Sequence, residues 1–158
     1  MLLIADTSPI ISLILINKLD ILEKLFPDYI IPEAVWIELN SHNEIREFDV
    51  ELKELSKRVK RVKNYFSLSG IDVGETEAII LYKELNANYL LIDDKRARLT
   101  AESMDVKCIG TLAVLYKAKQ KKMIKELLPI FQQLLNMKRF YSKSYLNLFL
   151  SKAGEKSI

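Results

Sequence analysis

Four short apolar segments, separated by stretches with helical patterning, limit the folds that this chain can adopt. They are LLIA at 2–5, YIIP at 29–32, YLLI at 89–92 and VKCIG at 106–110. Short apolar runs without polar alternation are typical of parallel strands that are buried on both faces. Because helical segments connect them, the sequence predicts an α/β fold with a mainly parallel central sheet and helices on both faces.

Length and composition indicate one domain with a helical C-terminal tail. A chain of 158 residues can bury a substantial core, and four glycines and four prolines leave little material for a flexible linker. We expect a domain over residues 1–122. Residues 123–158, which are strongly apolar at helical spacing, are expected to form an extension that packs on the same domain.

Several classes of protein are disfavoured by the sequence. The longest apolar run, PIISLILI, has eight residues, whereas a membrane-spanning helix needs ~20. No basic residue precedes this run, and Asp6 interrupts the apolar N-terminal stretch, so we expect a cytoplasmic protein rather than a secreted one. Cys108 is the single cysteine, which excludes a disulfide bond within the chain, and the single histidine, His42, leaves almost nothing for a zinc site or a Ser-His-Asp triad.

Three aspartates come directly after two of the predicted strands. Asp6 follows LLIA, and Asp93 and Asp94 follow YLLI. In folds of this kind, ligands bind beyond the carboxyl ends of the parallel strands. We therefore expect these carboxylates to lie at the same edge of the sheet.

Two glutamates on predicted helices can reach that edge. Glu38 lies in PEAVWIEL beside apolar positions that should face the core. Glu75 is in the first turn of a helix, on the face that carries Ala78 and Ile79. An acid in a first turn also favours the helix dipole, so a purely structural role for Glu75 is equally compatible with the pattern.

A group of carboxylates at one edge requires a compensating charge. Two carboxylates ~4 Å apart repel by about 4 kcal/mol at an effective dielectric constant of ~20. Protonation relieves this repulsion, and so does a divalent cation. Asp and Glu oxygens without His or Cys suit Mg²⁺ or Mn²⁺ rather than zinc, and such ions promote displacement at phosphorus.

The charge distribution is weak support for a site that binds metal ions and a phosphate-containing substrate. Residues 1–56 carry four basic and eleven acidic residues, whereas residues 57–158 carry twenty and ten. An acidic cluster with basic flanks suits a site that binds metal ions and then a polyanion. Solvated helical faces are the more ordinary explanation of the charges taken alone.

The segments ADTSPIISL, IIPEAVWIEL, GETEAIIL and LLIDDKRAR, in this order, resemble the motifs of the PIN-domain family. This family comprises ribonucleases, among them the toxin halves of VapC-type toxin–antitoxin pairs, and the combination is especially similar to a PIN-like subgroup without a settled function. The resemblance covers roughly residues 1–120. It implies a three-layer α/β/α fold with a sheet of about five strands, dependence on Mg²⁺ or Mn²⁺, and endonuclease cleavage of RNA.

The resemblance also implies roles for individual residues. Metal ligands would be Asp6, Glu38, Glu75 and one residue of the Asp93–Asp94 pair. The sequence does not decide between these two; Asp94 is the first candidate, and all five carboxylates are catalytic candidates. Glu75 replaces the usual aspartate of the third motif, and Glu77 is its rival for that position. The cations beside the pocket that would contact RNA are Lys95, Arg96 and Arg98.

The leading hypothesis is therefore a metal-dependent endoribonuclease. The sequence leaves open whether it is the toxin of a toxin–antitoxin pair held by an antitoxin protein. The apolar tail could also bind a second copy and form a homodimer. The alternative is a PIN-like scaffold that binds RNA or protein without cutting. A haloacid-dehalogenase-type site is disfavoured because Asp6 is followed by Thr7-Ser8 rather than by a second acid at the required spacing.

Overall fold

The five strands of the molecule are short and belong to the predicted parallel sheet. The computed structural model describes all residues from 1 to 158. The strands are β1 (Leu3–Ala5), β2 (Ile31–Pro32), β3 (Val59–Lys60), β4 (Tyr89–Leu91) and β5 (Cys108–Ile109).

The strands lie side by side in the order β3–β2–β1–β4–β5, and all pairs are parallel. A single bridge between Ile4 and Ile30 joins the β2–β3 pair to the other three strands. At this bridge the Ala5 N–H donates to the Ile30 carbonyl and the Ile30 N–H donates to the Leu3 carbonyl, both at 3.0 Å. The predicted mainly parallel sheet of about five strands is confirmed.

Nine α-helices surround the sheet. Before β4 they are α1 (Thr7–Leu15), α2 (Leu19–Leu25), α3 (Glu33–Ser41), α4 (Asp49–Ser56) and α5 (Val73–Glu84), with a 3-10 turn at Asn43–Ile45. After β4 they are α6 (Lys95–Ser103), α7 (Thr111–Gln120), α8 (Leu128–Asn136) and α9 (Lys143–Lys152). None of these helices is long and apolar enough to span a membrane.

Alternation along the strands divides the apolar core into two parts. Leu3, Ala5 and Leu91 belong to a cluster of 30 buried residues that also includes side chains of α1, α2 and α7. Ile4 and Leu90 belong to a cluster of 11 on the other face, which α5 and α6 cover. Successive strand residues point to opposite faces, so each strand contributes to both parts. This is the predicted three-layer α/β/α arrangement.

The C-terminal helices pack into the larger part of the core. Phe131 and Leu134 of α8 and Leu150 of α9 are fully buried there. The Glu155 carboxylate then accepts hydrogen bonds from the N–H groups at the start of α8 and from the Lys119 ammonium. The segment between α8 and α9 lies against the carboxyl edge of the sheet, where Tyr141 donates to Asp93.

Candidate active site at the carboxyl edge of the sheet

A pocket of ≈ 340 Å³ lies at the carboxyl ends of β1 and β4 and collects most of the predicted acids. Four separate segments of the chain supply its carboxylates. The pocket is lined by Asp6, Thr7, Ser8, Ile11, Glu38, His42, Asp72, Glu75, Asp94 and Arg139. The structure thus brings together Asp6, Glu38, Glu75 and Asp94, and adds Asp72.

Asp6 is the most buried of these acids because it directly follows the central strand. Its N–H donates to the Leu91 carbonyl at 3.0 Å, which extends the β1–β4 ladder, and the residue is only 5% exposed. Burial raises the pKa of Asp6 to about 8; the Thr7 N–H opposes this shift and the neighbouring carboxylates add to it. The site therefore holds a carboxyl group whose charged form lacks compensation.

Glu38 reaches the pocket from α3 and is fixed by two neighbours. The Thr7 hydroxyl donates to Glu38 Oε2. Gly74, at the start of α5, faces the same carboxylate, and a Cβ at this position would lie 3.1 Å from Glu38 Oε1. A side chain at Gly74 would therefore press on the Glu38 carboxylate, and the glycine at the second position of α5 leaves room for it.

Glu75 and Asp72 belong to the N-terminus of α5, where they form a capping box. The Glu75 N–H donates to Asp72 Oδ1 at 2.8 Å, and the Asp72 N–H donates to Glu75 Oε2 at 3.1 Å. Burial raises the pKa of Glu75, against the effect of its hydrogen bond with Asp72. Sequence reasoning missed Asp72, although the Asp-x-x-Glu spacing of a capping box could have indicated it.

The two aspartates that follow β4 point in different directions. Asp94 lines the pocket, and its Oδ1 caps α6 by accepting from the Ala97 N–H at 2.8 Å. Asp93 does not line it. Its carboxylate accepts from the Thr111 N–H at 2.8 Å, the Thr111 hydroxyl at 2.6 Å and the Tyr141 hydroxyl at 2.9 Å. Asp93 therefore connects β4 to α7 and to the C-terminal segment.

Glu77, the rival of Glu75, also lies outside the pocket. Its Oε1 accepts from the Ala34 N–H at 3.1 Å and so satisfies a free donor at the start of α3. The geometry therefore favours Glu75 as the acid that this helix contributes.

None of the three predicted RNA-binding cations lines the pocket. Lys95 and Arg96 are exposed at the start of α6, directly after Asp94. Arg98 is partly buried and pairs with Glu102 at 3.3 Å. The cation that does line the pocket is Arg139, which lies between α8 and α9. Nothing in the local sequence distinguishes it from the other basic residues of the tail.

The donor set is chemically suited to a hard divalent cation. Every acidic ligand candidate offers carboxylate oxygens, which hard cations prefer. No positively charged side chain is among the groups that shift the pKa of the buried Asp6. In their present rotamers no three acidic, His or Cys side chains are grouped closely enough to hold a metal ion. Glu38, Glu75 and Asp94 instead accept hydrogen bonds from the protein.

Comparisons with known proteins agree with this architecture. A family model described as PIN domain matches residues 2–155. A solved PilT N-terminus domain protein from the hyperthermophilic archaeon Sulfolobus solfataricus P2 has 18% identity and a TM-score of 0.51, covering 75% of this chain and 93% of that chain. At this identity the likeness concerns the fold alone. No curated protein matches the sequence.

Proposed function

The chain belongs to the PIN-domain family, whose members are generally nucleases, and we propose that it is a metal-dependent endoribonuclease. The observation that carries this proposal is the convergence of acids from four separate segments on one pocket at the carboxyl edge of the sheet. Bringing several carboxylates together in one pocket, with Asp6 buried among them, costs folding stability unless a cation binds there. Its maintenance by four segments therefore supports a functional site.

Asp6, Glu38, Glu75 and Asp94 would hold the Mg²⁺ or Mn²⁺, with Asp72 as an additional acid beside them. When bound, such an ion supplies Lewis-acid activation of water and of the scissile phosphate. Asp6 provides the buried negative charge, and Thr7 orients Glu38 through its hydroxyl. The caps of α5 and α6 hold Glu75 and Asp94 at the pocket wall.

Asp93 acts as a positioning residue in this proposal. It orients the start of α7 and the C-terminal segment through Thr111 and Tyr141. Lys95 and Arg96, which are exposed next to Asp94, are available for RNA phosphates outside the pocket. Arg98 is less available because Glu102 engages it.

One observation favours the second candidate, a scaffold that binds RNA or a protein without cutting. Glu38, Glu75 and Asp94 each accept a hydrogen bond within the protein, so a metal ion would have to share or replace these donors. If these carboxylates keep their hydrogen bonds to the protein rather than bind the metal ion, we expect a catalytically weak site. An antitoxin protein or a second copy of the chain would be the protein partner in that case.

The test is cleavage of labelled single-stranded RNA with added Mg²⁺ or Mn²⁺, comparing wild type with Asp6→Asn and Asp94→Asn. Glu77→Gln is the matched control, because it removes an acid of the same helix that lies outside the pocket. We expect both aspartate variants to lose activity by about 100-fold or more, and the control to cut like wild type.

Two results would contradict the proposal. If Asp6→Asn and Asp94→Asn cut as fast as wild type, the chemistry lies elsewhere. If wild type is inert with both ions, the scaffold becomes the better description. In the second case Mn²⁺ should also fail to raise the Tm, since only ligands of the native state stabilise it.

A further inference from the structure

The C-terminal extension contributes a guanidinium to the acidic pocket, and this cation is not paired with any acid that lines the pocket. Arg139 lines the same pocket as Asp6 and Glu38. Its side chain is only 18% exposed. The one acid within ion-pair distance is Glu44, which lies outside the pocket, 3.9 Å from Nη1. A cation in such surroundings would be expected to pair with a carboxylate of the pocket.

Neutral oxygens hold one edge of the guanidinium instead. Nε donates to Ser12 Oγ at 2.9 Å, and Nη2 donates to Ser8 Oγ at 2.8 Å and to the Ser8 carbonyl at 3.1 Å. These bonds use three of the five N–H donors of the side chain. Nη1 makes no hydrogen bond, since 3.9 Å from Glu44 is beyond hydrogen-bond range. The two Nη1 donors, which have only Glu44 at this longer distance, are therefore available to an anion at the pocket that Arg139 lines.

The residue that follows this cation in the chain is an exposed aromatic. Residues 139–142 belong to no helix or strand, and burial alternates along residues 139–141. Arg139 and Tyr141 face the protein, where Tyr141 donates to Asp93, and Phe140 is 84% exposed. An exposed phenylalanine costs solvation free energy, and Phe140 directly follows Arg139, the cation that lines the pocket. This combination is what single-stranded nucleic acid requires, namely a cation for the backbone and an aromatic face for an unpaired base.

The position of these residues is fixed by the end of α8. Lys138 adopts a left-handed conformation with φ 58°. The Lys138 N–H donates to the Leu135 carbonyl at 3.0 Å, and the Arg139 N–H donates to the Leu134 carbonyl at 2.9 Å. This is a Schellman motif, which reverses the chain direction at a defined angle. Arg139 is thus preorganised and does not depend on a mobile loop.

We propose that Arg139 and Phe140 form a substrate clamp: Nη1 of Arg139 binds a phosphate of single-stranded RNA at the pocket, and Phe140 stacks on an adjacent unpaired base. This inference rests on the proposed function, because it takes the pocket to be a site for a phosphodiester. Duplex RNA, whose bases have no free face at this position, should not use Phe140.

The test measures binding by fluorescence anisotropy with Ca²⁺ and cleavage with Mn²⁺, on a single-stranded RNA and on the same RNA annealed to its complement. Phe140→Ala should raise the single-strand Kd and KM by about tenfold while leaving kcat and duplex binding unchanged. Phe140→Trp should restore the wild-type Kd and KM for the single strand. Leu148→Ala is the control, since it removes another exposed apolar side chain of the extension, 48% exposed on α9.

Arg139 needs a readout that a purely structural role would not move. Arg139→Ala should raise the single-strand Kd by about tenfold and reduce the salt dependence of binding by about one phosphate contact. Arg139→Lys, which keeps the charge, should restore part of the affinity. Lys156→Ala, at an exposed cation outside the pocket, should change neither quantity.

The outcomes separate this inference from the proposed function. If wild type cuts single-stranded RNA and Phe140→Ala binds and cuts equally well, the clamp is wrong and the nuclease stands. If wild type binds with a Phe140-dependent affinity but never cuts, the clamp stands and the nuclease is wrong. If wild type neither binds nor cuts, both are wrong, and the exposed ring is better explained as a contact for a protein.

Discussion

At the scale of single residues, Asp6 combines a structural cost with a functional use. Burial raises its pKa to about 8, so the metal-free protein is expected to hold this carboxyl protonated at neutral pH. A divalent cation and a proton therefore compete for the same group. Metal affinity should rise with pH up to about this value for that reason.

The same shift predicts how stability depends on pH. A carboxyl group whose pKa is higher in the folded than in the unfolded chain binds more protons when folded. Its contribution is complete below the unfolded pKa of about 3.9 and is lost as the pH rises toward about 8. In the presence of a chelator, the free energy of unfolding of wild type should thus fall relative to that of Asp6→Asn between pH 5 and pH 8.

Denaturant unfolding at a series of pH values measures this difference. At pH 8, Asp6→Asn should be more stable than wild type by at least about 1 kcal/mol, since one pKa unit corresponds to about 1.4 kcal/mol. Glu77→Gln controls for the loss of an acid outside the pocket. Parallel profiles for wild type and Asp6→Asn would show that Asp6 titrates normally.

At the scale of secondary-structure elements, the helices end in a common way. Six of them are followed by a residue with positive φ, and in each case the flanking N–H groups make the two bonds of a Schellman motif. These residues are Asn17, Asn86, Asp105, Lys122, Lys138 and Gly154. The sequence predicts the break at Asn17, because asparagine tolerates this conformation. It gives no such signal at Lys122 or Lys138.

The left-handed lysines predict an unusual effect of glycine. Lys122 has φ 62° and is exposed after α7. A side chain in this region costs roughly 1–2 kcal/mol, whereas glycine loses roughly 0.5–1 kcal/mol through chain entropy. Lys122→Gly should therefore stabilise the protein by about 0.5–1 kcal/mol, measured by denaturant unfolding.

The neighbouring Lys121 provides a matched control. It has φ −85°, an ordinary conformation for a residue with a side chain. Lys121→Gly should destabilise the protein by about 0.5–1 kcal/mol. If both glycine variants change stability in the same direction, backbone conformation is not the cause of the effect.

At the scale of the whole molecule, Glu155 connects the end of the chain to the core. Its carboxylate accepts from the Leu127 and Leu128 N–H groups at 2.8 Å and pairs with Lys119. Burial opposes its charged form, but these donors outweigh burial and hold the pKa of Glu155 below its usual value. Its stabilisation is therefore present above the unfolded pKa of about 4.3 and is lost as the pH falls through the lower folded pKa.

Glu155→Gln should lower the free energy of unfolding by roughly 1.5–3 kcal/mol at pH 7, because a charged acceptor is lost. The difference from wild type should shrink below pH 4. Glu126→Gln, at an exposed acid just before α8, is the control. A difference that persists unchanged at pH 3 would show that packing rather than charge holds the tail.

Much of the lining of the pocket could be predicted because local sequence determines it. Asp6 and Asp94 directly follow buried apolar runs, and parallel strands bring their carboxyl ends to one edge. The helical spacing of apolar residues likewise predicts that Glu75 faces the core. These inferences need only the identity of strands and helices. Such patterns have limits: the amphipathic, charge-rich stretch over 44–57 predicts one helix, whereas the structure has a 3-10 turn followed by α4, which begins at Asp49.

Tertiary structure decided what depends on residues that are far apart in the chain. The sequence could not distinguish Asp93 from Asp94, because the choice depends on Thr111 and Tyr141, which draw Asp93 away from the pocket. It also gave no reason to place Arg139 against Ser8, 131 residues earlier. Local patterns determine which elements form, whereas the packing of α8 and α9 on the core determines which side chains meet at the edge of the sheet.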